Sequence, residues 1–464
     1  MTQSDRRLLS LIFLSFAVMD QFGNLSSVAL ACVLFSLVFG VLSLSAAPAA
    51  LPLPKIAAVL LPIGLAATSL FYSIVFPHPV FAWTFAVVAI AVAIHMALRT
   101  RTATVVAFVL TGGAAVAGIL ANLQWGMASI GDDVFHFQQT AAQALLNGQN
   151  PYAPLVESAN VLPPGKANWI LLHFPYGPVL PVLEAPFRLL GDIRVLHVLA
   201  AVVLSAAVLV LARRAGTFDT SACVVMAFPL TVGMALFGWV DIVTMAALAT
   251  WFVSFRTHPR LATLALVIAL AVKPTTLIAL VPILFWSVRG RRQVAIAAVF
   301  TALFVLPFAL FTGLSQFYYD VLGVQLAVLP RLDSLTVNSF LNAYGLPVLP
   351  FAVSALVIGV TTVMVLRHRP ATYGELFTGT AILATVSFLV AKWAYFNYYY
   401  IPAVLLMLAV AGNSLPLDAP EMIRPPAVFL ASADWLRRAL NRRRRRRRIP
   451  GAAFPASHGA GPGA

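Results

Sequence analysis

The sequence predicts an all-α fold, a polytopic bundle of transmembrane helices, and three observations favour it. The chain has 464 residues, of which 61% are hydrophobic and 10% charged. This composition, with a mean hydropathy of +0.92, is typical of a multi-span membrane protein. Many apolar runs approach the roughly 20 residues that a transmembrane helix needs. These runs are solid apolar blocks without the alternation of a membrane β-barrel, so the spans are predicted to be helices.

The apolar runs divide the chain into three predicted regions. Residues 1–101 form an N-terminal transmembrane extension, residues 102–414 a transmembrane core, and residues 415–464 a basic cytoplasmic tail that is partly disordered. Within the core, a polar and aromatic stretch, 123–192, is predicted to be a large extracytoplasmic loop carrying interfacial helices. The predicted spans are 8–26, 27–47, 56–76, 80–98, 102–122, 193–213, 220–237, 242–256, 261–272 with 274–288, 293–312, 346–366, 374–392 and 398–414.

The distribution of charged residues predicts the orientation. With the N-terminus in the cytoplasm, 24 of the 30 Lys and Arg fall on the cytoplasmic side, including the run Arg442–Arg448, while 9 of the 15 acidic residues fall outside. This separation follows the positive-inside rule. It predicts a multi-pass protein of the plasma (inner) membrane with both termini cytoplasmic. We expect the basic tail to bind anionic membrane lipids and not nucleic acid.

Asp132 and Asp133 stand at the head of a predicted helix, 133–146, and His136 follows them. Polar residues beside a bilayer usually mark function. Asp132 and His136 are four residues apart and share a helix face. One aspartate could simply cap the helix. Alternatively, a carboxylate kept ionised by the helix dipole could accept a proton from a sugar hydroxyl, and both interpretations stay open.

Three further residues on the predicted extracytoplasmic side are candidates for substrate binding. His173 and Tyr176 lie in a turn made rigid by proline and glycine, where His173 either contacts a substrate or is a solvated loop histidine. Asp241 follows the turn Gly238-Trp239 and either ends a helix or binds a ligand.

Three cations on the same side are candidates for binding a lipid phosphate. Lys273 precedes Pro274 inside an apolar run, so its side chain must snorkel, pair with an acid or bind an anion. Arg331 and Lys392 are the other two. A cluster of such cations against an apolar wall suits a phosphate headgroup.

Two other stretches carry structural predictions. Pro178–Leu190 is predicted to be an interfacial helix in which Glu184 and Arg188 form an i,i+4 ion pair. The aromatic run from Trp393 to Tyr400 is predicted to be mainly an interfacial belt, with stacking on sugar rings as the alternative. The sequence has no P-loop, GxGxxG motif or metal-spaced Cys/His set, so an ATP-driven pump is disfavoured and we expect neither a cofactor nor a metal. A metal held by Asp132 and Asp133 is the alternative, although no His/Asp/Glu spacing specifies it.

Four segments occur in a fixed order within 102–414: Asp132–Asp133, Leu146–Tyr152, Phe174–Pro178 and Ala271–Pro274. In this order they resemble glycosyltransferase family 87, the polyprenol-phosphate-mannose-dependent mannosyltransferases with the GT-C fold. The resemblance implies an inverting transfer of a hexose, mannose in the family, from a polyprenyl-phosphate donor to a glycolipid or glycan acceptor outside the membrane. It also implies that the first-loop acid, Asp132 or Asp133, is the general base, and Asp132 is preferred because it is in register with His136.

Two alternative functions remain open at this stage. A transporter or flippase of a lipid-linked sugar would use the same cations and aromatic residues but would not need a carboxylate at a reaction centre. A polymerase or ligase of surface glycans would more typically use several external arginines and a histidine, and few arginines are predicted outside.

Overall fold

The computed structural model describes residues 3–20, 26–44, 133–162, 166–215, 229–324, 334–392 and 394–417, with single positions at 106, 109, 113, 116 and 117. All of them belong to one unit, Met1–Met422. Apart from those single positions, the predicted spans 56–76, 80–98 and 102–122 lie outside the described residues. So do Asp132, Arg331, Trp393 and the basic tail.

Helices account for most of the described chain. They are α1 (Gln3–Asp20), α2 (Ser27–Leu44), α3 (Asp133–Leu146), α4 (Val179–Leu189), α5 (Arg194–Arg214), α6 (Pro229–Phe237), α7 (Asp241–Ser254), α8 (Pro259–Val272), α9 (Leu277–Trp286), α10 (Val288–Thr312), α11 (Leu314–Tyr318), α12 (Val337–Ala343), α13 (Phe351–Arg367), α14 (Tyr373–Leu389) and α15 (Tyr400–Ala411).

By length and composition, three of these helices can cross a membrane: α2, α5 and Arg289–Thr312 within α10. Several shorter apolar helices accompany them, among them α7, α8, α13 and α14. The prediction of an all-α membrane protein is confirmed. The break predicted at Lys273-Pro274 is also present, because Lys273 is extended (φ −144°, ψ 109°) and Pro274 begins a single 3₁₀ turn before α9.

A β-hairpin in the stretch 123–192 was not predicted. Strand β1 (Val156–Leu162) pairs with β2 (Lys166–Leu172) in antiparallel register, with Val156 opposite Leu172. The sequence carries a signal for it, since two apolar-rich runs flank Pro163-Pro164-Gly165. In a chain dominated by long apolar helices, this short and half-polar pattern favours a loop.

Arginine side chains mark one end of the bundle. Arg7, near the start of α1, donates to Asn413 Oδ1 just after α15. Arg214, at the end of α5, donates to Val253 O near the end of α7. The Arg256 guanidinium lies 5.5 Å from the centre of the Tyr373 ring at the start of α14. We call this end the arginine end.

The opposite termini of the same helices form the other end, which we call the site end. It contains the starts of α5, α7 and α15 and the end of α14, with α3 and the hairpin next to them. Gln138 of α3 donates to Gly238 O, three residues before α7 begins. Thus the predicted cytoplasmic arginines and the candidate site residues separate to opposite ends of the described bundle.

The first two helices form an antiparallel pair joined by polar contacts. Ser10 Oγ donates to Ser36 O over 2.8 Å, and Ser36 Oγ donates to Ser10 O over 2.7 Å. Arg6 donates to Leu42 O at the end of α2. Helix α1 packs against α15, and α2 packs against α14. This part of the predicted N-terminal extension therefore contacts the last two helices of the predicted core directly.

The helix predicted over Pro178–Leu190 is present as α4, but its predicted ion pair is wrong. Glu184 is fully buried, and neither carboxyl oxygen has a hydrogen-bond partner among the described residues. Arg188 instead donates to Gln143 Oε1 of α3 over 3.1 Å. The reason is that α4 packs against α3, so Arg188 reaches that helix while Glu184 faces the interior.

The burial of Glu184 predicts how stability depends on pH. Burial raises the pKa of Glu184 well above its ordinary value of 4.5. The folded state favours the protonated carboxyl. Its contribution to the free energy of unfolding is therefore complete below the unfolded-state pKa and is lost as pH rises through the folded-state pKa. We expect Glu184→Gln to reduce the fall of the thermal unfolding temperature with rising pH. We expect Glu184→Leu to raise the free energy of unfolding by about 1–3 kcal/mol. An unchanged pH slope in Glu184→Gln would refute this account.

Candidate active site

A buried ion pair lies at the site end. Asp241 is the first residue of α7, and Lys273 directly follows α8. Lys273 Nζ donates to Asp241 Oδ1 over 2.7 Å, and Asn397 Nδ2 donates to Asp241 Oδ2 over 3.0 Å. Asp241 is fully buried, and Lys273 is 5% exposed. Of the three roles that the sequence left to Lys273, the structure shows pairing with an acid.

Tyrosines around this pair point into the protein. Lys273 Nζ lies 4.0 Å from the centre of the Tyr398 ring, a cation–π contact. The fully buried Tyr399 donates to Leu335 O over 2.6 Å, and the Tyr400 hydroxyl bonds Thr231 Oγ1 over 3.1 Å. The interfacial belt predicted for Trp393 to Tyr400 is therefore wrong for Tyr399 and Tyr400, because a 3₁₀ turn, Phe396–Tyr399, leads into the buried helix α15.

Three of the four segments that carried the family resemblance meet at this place. Gly177 N donates to Val272 O over 3.0 Å, which joins the Phe174–Pro178 turn to the end of α8. A Cβ at Gly177 would lie 1.8 Å from Ala271 O, so only glycine allows this approach. Tyr176 O accepts from the Tyr152 hydroxyl over 2.8 Å, which brings the Leu146–Tyr152 segment to the same turn.

The fourth segment is described only from Asp133 onward. Asp133 is the first residue of α3, is half-buried, and accepts a hydrogen bond from Ser158 Oγ of the hairpin. Helix α3 is held at the Gly238 turn by Gln138, and Gly238 has a φ of +67°. His136 is exposed and lies edge-on to Phe135. Asp132 lies outside the described residues, so the predicted shared helix face of Asp132 and His136 stays a prediction.

A second polar cluster contains an acid that sequence reasoning did not single out. Asp320 is 3% exposed, and its Oδ1 accepts from Gln316 Nε2 over 2.7 Å. Burial raises the pKa of Asp320, and the nearby His173 partly offsets this effect. Asp320 Oδ2 and the buried His173 Nδ1 both lack hydrogen-bond partners among the described residues. An aspartate beside two loop tyrosines gives no sequence signal of such burial.

Two of the predicted cations remain to be placed. Lys392 is half-buried just beyond the end of α14, and burial lowers its pKa. Arg331 lies outside the described residues. Lys273 is the cation that pairs with Asp241.

Comparison with known families identifies a large part of the chain. Residues 174–391 match the model of glycosyltransferase family 87. Over these residues, just under half of the chain, the sequence is similar to that family. The resemblance drawn from the sequence is thus confirmed, and the protein is a membrane glycosyltransferase. The matched segment contains Tyr176, Asp241, Lys273 and Arg331 and begins after Asp133 and His173. No curated protein and no solved structure matches the chain.

The ion pair predicts coupled effects on stability. Asp241→Leu or Lys273→Met alone leaves one charge buried without its partner, which typically costs about 3–5 kcal/mol of unfolding free energy. The double variant removes both charges and should be clearly more stable than the sum of the single effects implies. Thermal unfolding of the four proteins in detergent measures the coupling. Additive single effects would show that the pair contributes no net interaction.

Proposed function

We propose that the protein transfers a hexose, with mannose as the first choice, from a polyprenyl-phosphate donor to a glycolipid or glycan acceptor. The transfer takes place at the site end, on the extracytoplasmic face of the plasma membrane. The match of residues 174–391 to a glycosyltransferase family supports the reaction class. The observation that carries the assignment of the site is a half-buried carboxylate, Asp133, at the N-terminus of α3, the helix that Gln138 joins to the Gly238 turn before Asp241.

The proposed chemistry is a single displacement. The carboxylate accepts the proton of the acceptor hydroxyl as its oxygen attacks the anomeric carbon of the donor sugar. The new glycosidic C–O bond forms, the bond from the anomeric carbon to the phosphate oxygen breaks, and polyprenyl phosphate leaves with both electrons of that bond. The configuration at the anomeric carbon inverts. The lipid phosphate is itself the activated leaving group, so the proposal needs no cofactor or metal.

Asp133 suits the base role better than other acids at the site end. Asp241 is fully buried and neutralised by Lys273. Asp192 binds the Arg194 guanidinium over 2.6 Å. At the first position of α3, Asp133 is favoured in its ionised form by the helix dipole, and Ser158 orients one of its oxygens. Asp132 is its immediate neighbour and stays the alternative base.

Other residues are proposed to bind the donor phosphate, the sugar substrates and the membrane lipids. We assign the donor phosphate to Lys392 and Arg331, the predicted extracytoplasmic cations other than Lys273, which is paired with Asp241. In this proposal Lys273 and Asp241 shape the floor of the site, and His136, His173 and Tyr176 contact the substrates. The separation of the arginine end from the site end supports a cytoplasmic arginine end, with anionic lipids bound by the tail.

Substitution of the paired aspartates tests the base. Asp132→Asn and Asp133→Asn keep side-chain size but remove the proton acceptor. We expect one of them to lower transfer by about 10²–10⁴-fold. The matched control is Glu157→Gln, an exposed carboxylate next to Ser158 on the same hairpin, which should retain wild-type transfer. Membrane vesicles supplied with labelled polyprenyl-phosphate mannose and glucose report transfer of the label to glycolipid or glycan.

The outcomes separate the function classes. Loss of transfer in one aspartate variant, with protein level and donor binding kept, supports the base and names it. Full transfer in both variants removes the general-base mechanism. Movement of a labelled lipid-linked sugar across the vesicle membrane without transfer would favour a transporter, and growth of a polymeric product would favour a polymerase or ligase.

A further inference from the structure

Two buried polar atoms without partners lie in the second cluster. Asp320 sits on a π-helical turn, Tyr319–Gly323, that follows α11. Such turns occur frequently at functional sites. Its Oδ2 atom and Nδ1 of His173 are buried and have no hydrogen-bond partner in the part of the chain that the structure describes. Buried polar groups are rarely left in this state, because an unmade hydrogen bond costs stability. A ligand that supplies the missing bonds would remove that cost.

The ring of Tyr152 connects these two groups. It lies edge-on to Phe174, the residue after His173, with ring centres 5.6 Å apart. It also lies edge-on to Phe317, one turn before Asp320, with ring centres 5.0 Å apart. Asp320 and His173 therefore flank one aromatic cluster. The loop carrying Tyr152 is fixed by Asn150 Nδ2, which donates to Thr312 Oγ1 over 3.1 Å at the end of α10.

The chemistry of these groups selects a class of ligand. A carboxyl oxygen and an imidazole nitrogen bind hydroxyl groups, which both donate and accept hydrogen bonds. Aromatic rings offer apolar faces beside them. A carboxylate repels an anion, so the cluster does not suit the donor phosphate. No group of three or more metal-binding side chains occurs among the described residues, which argues against a metal ligand.

We propose that Asp320 and His173 form a subsite that binds hydroxyl groups of a pyranose ring, carried by the donor or by the acceptor. This inference rests on the proposed function and adds Asp320 to the substrate-binding residues. The subsite joins the ion-pair region through Tyr152, whose hydroxyl donates to Tyr176 O, next to the Gly177–Val272 contact. A sugar bound here would lie at the site end.

A binding experiment tests the subsite without relying on catalysis. The full-length protein is placed in nanodiscs, and affinities are measured for two pairs of probes. The donor pair is polyprenyl-phosphate mannose and polyprenyl phosphate without sugar. The acceptor pair is an alkyl mannoside and an alkyl polyoxyethylene with the same chain. The variants are Asp320→Asn and His173→Gln. The matched control is Tyr319→Phe, which changes an exposed hydroxyl on the same turn.

We expect both variants to weaken the sugar-bearing probe of one pair by about ten-fold, as loss of a hydrogen bond to a charged group implies. The matching probe without sugar and the Tyr319→Phe control should bind as before. If the affinity falls for the donor pair of probes, the subsite binds the donor sugar; if it falls for the acceptor pair, the subsite binds the acceptor sugar. In transfer assays, the KM for the same substrate should rise while kcat changes little.

Two results would overturn the proposed subsite. Wild-type affinity of both variants for every probe would overturn the subsite, as would a wild type that does not distinguish the probes within either pair. Thermal unfolding identifies a misfolded variant. If one variant is misfolded, the affinities of the other variant decide whether the subsite exists. If the wild type transfers no sugar from any polyprenyl-phosphate donor, the proposed function fails, while the alkyl mannoside arm still decides whether the subsite exists.

Discussion

The Asp241–Lys273 ion pair is the interaction on which the site end depends. It joins the start of α7 to the turn after α8, and Asn397 and Tyr398 bring in the residues before α15. Removing either charge leaves the other in a poorly polarisable interior, at a cost of several kcal/mol. The Phe174–Pro178 turn rests on the same place through Gly177 and Val272. The ion pair therefore lies beneath the Phe174–Pro178 turn, next to the contact that holds it.

Polar contacts have a particular role in a bundle of this composition. Lipid tails are as apolar as leucine, so apolar packing alone selects few helix pairings in a membrane. Here Ser10 and Ser36 join α1 to α2. Trp251 Nε1 donates to Gln293 Oε1 over 2.7 Å and joins α7 to α10. At the arginine end, contacts such as that from Arg7 to Asn413 join the ends of neighbouring helices. At the site end, the corresponding contacts hold groups that suit sugar chemistry.

The helices could be predicted from the sequence because hydropathy reports them residue by residue, and the break at Lys273-Pro274 follows from proline. Asp133 at the head of a helix was predicted from the same local pattern. The partner of Asp241 could not be predicted, because Lys273 is 32 residues away and tertiary packing makes the pair. The tyrosines at 398–400 were assigned to a membrane interface because composition does not distinguish inward from outward aromatic residues. Asp320 was missed because its burial arises only when distant segments meet. The hairpin was missed although its signal is local, because its short, half-polar strands are weak beside the long apolar helices.

The central claim is that the site end faces the outside of the cell and the arginine end faces the cytoplasm. Single-cysteine labelling tests it most directly, in a chain whose native Cys32 and Cys223 are replaced by serine. Glu157→Cys places an exposed thiol on the hairpin, and Ser414→Cys places one at the arginine end. A membrane-impermeant maleimide should label Glu157→Cys in intact cells and Ser414→Cys only after permeabilisation. Labelling of Ser414→Cys, and not of Glu157→Cys, in intact cells would contradict the account.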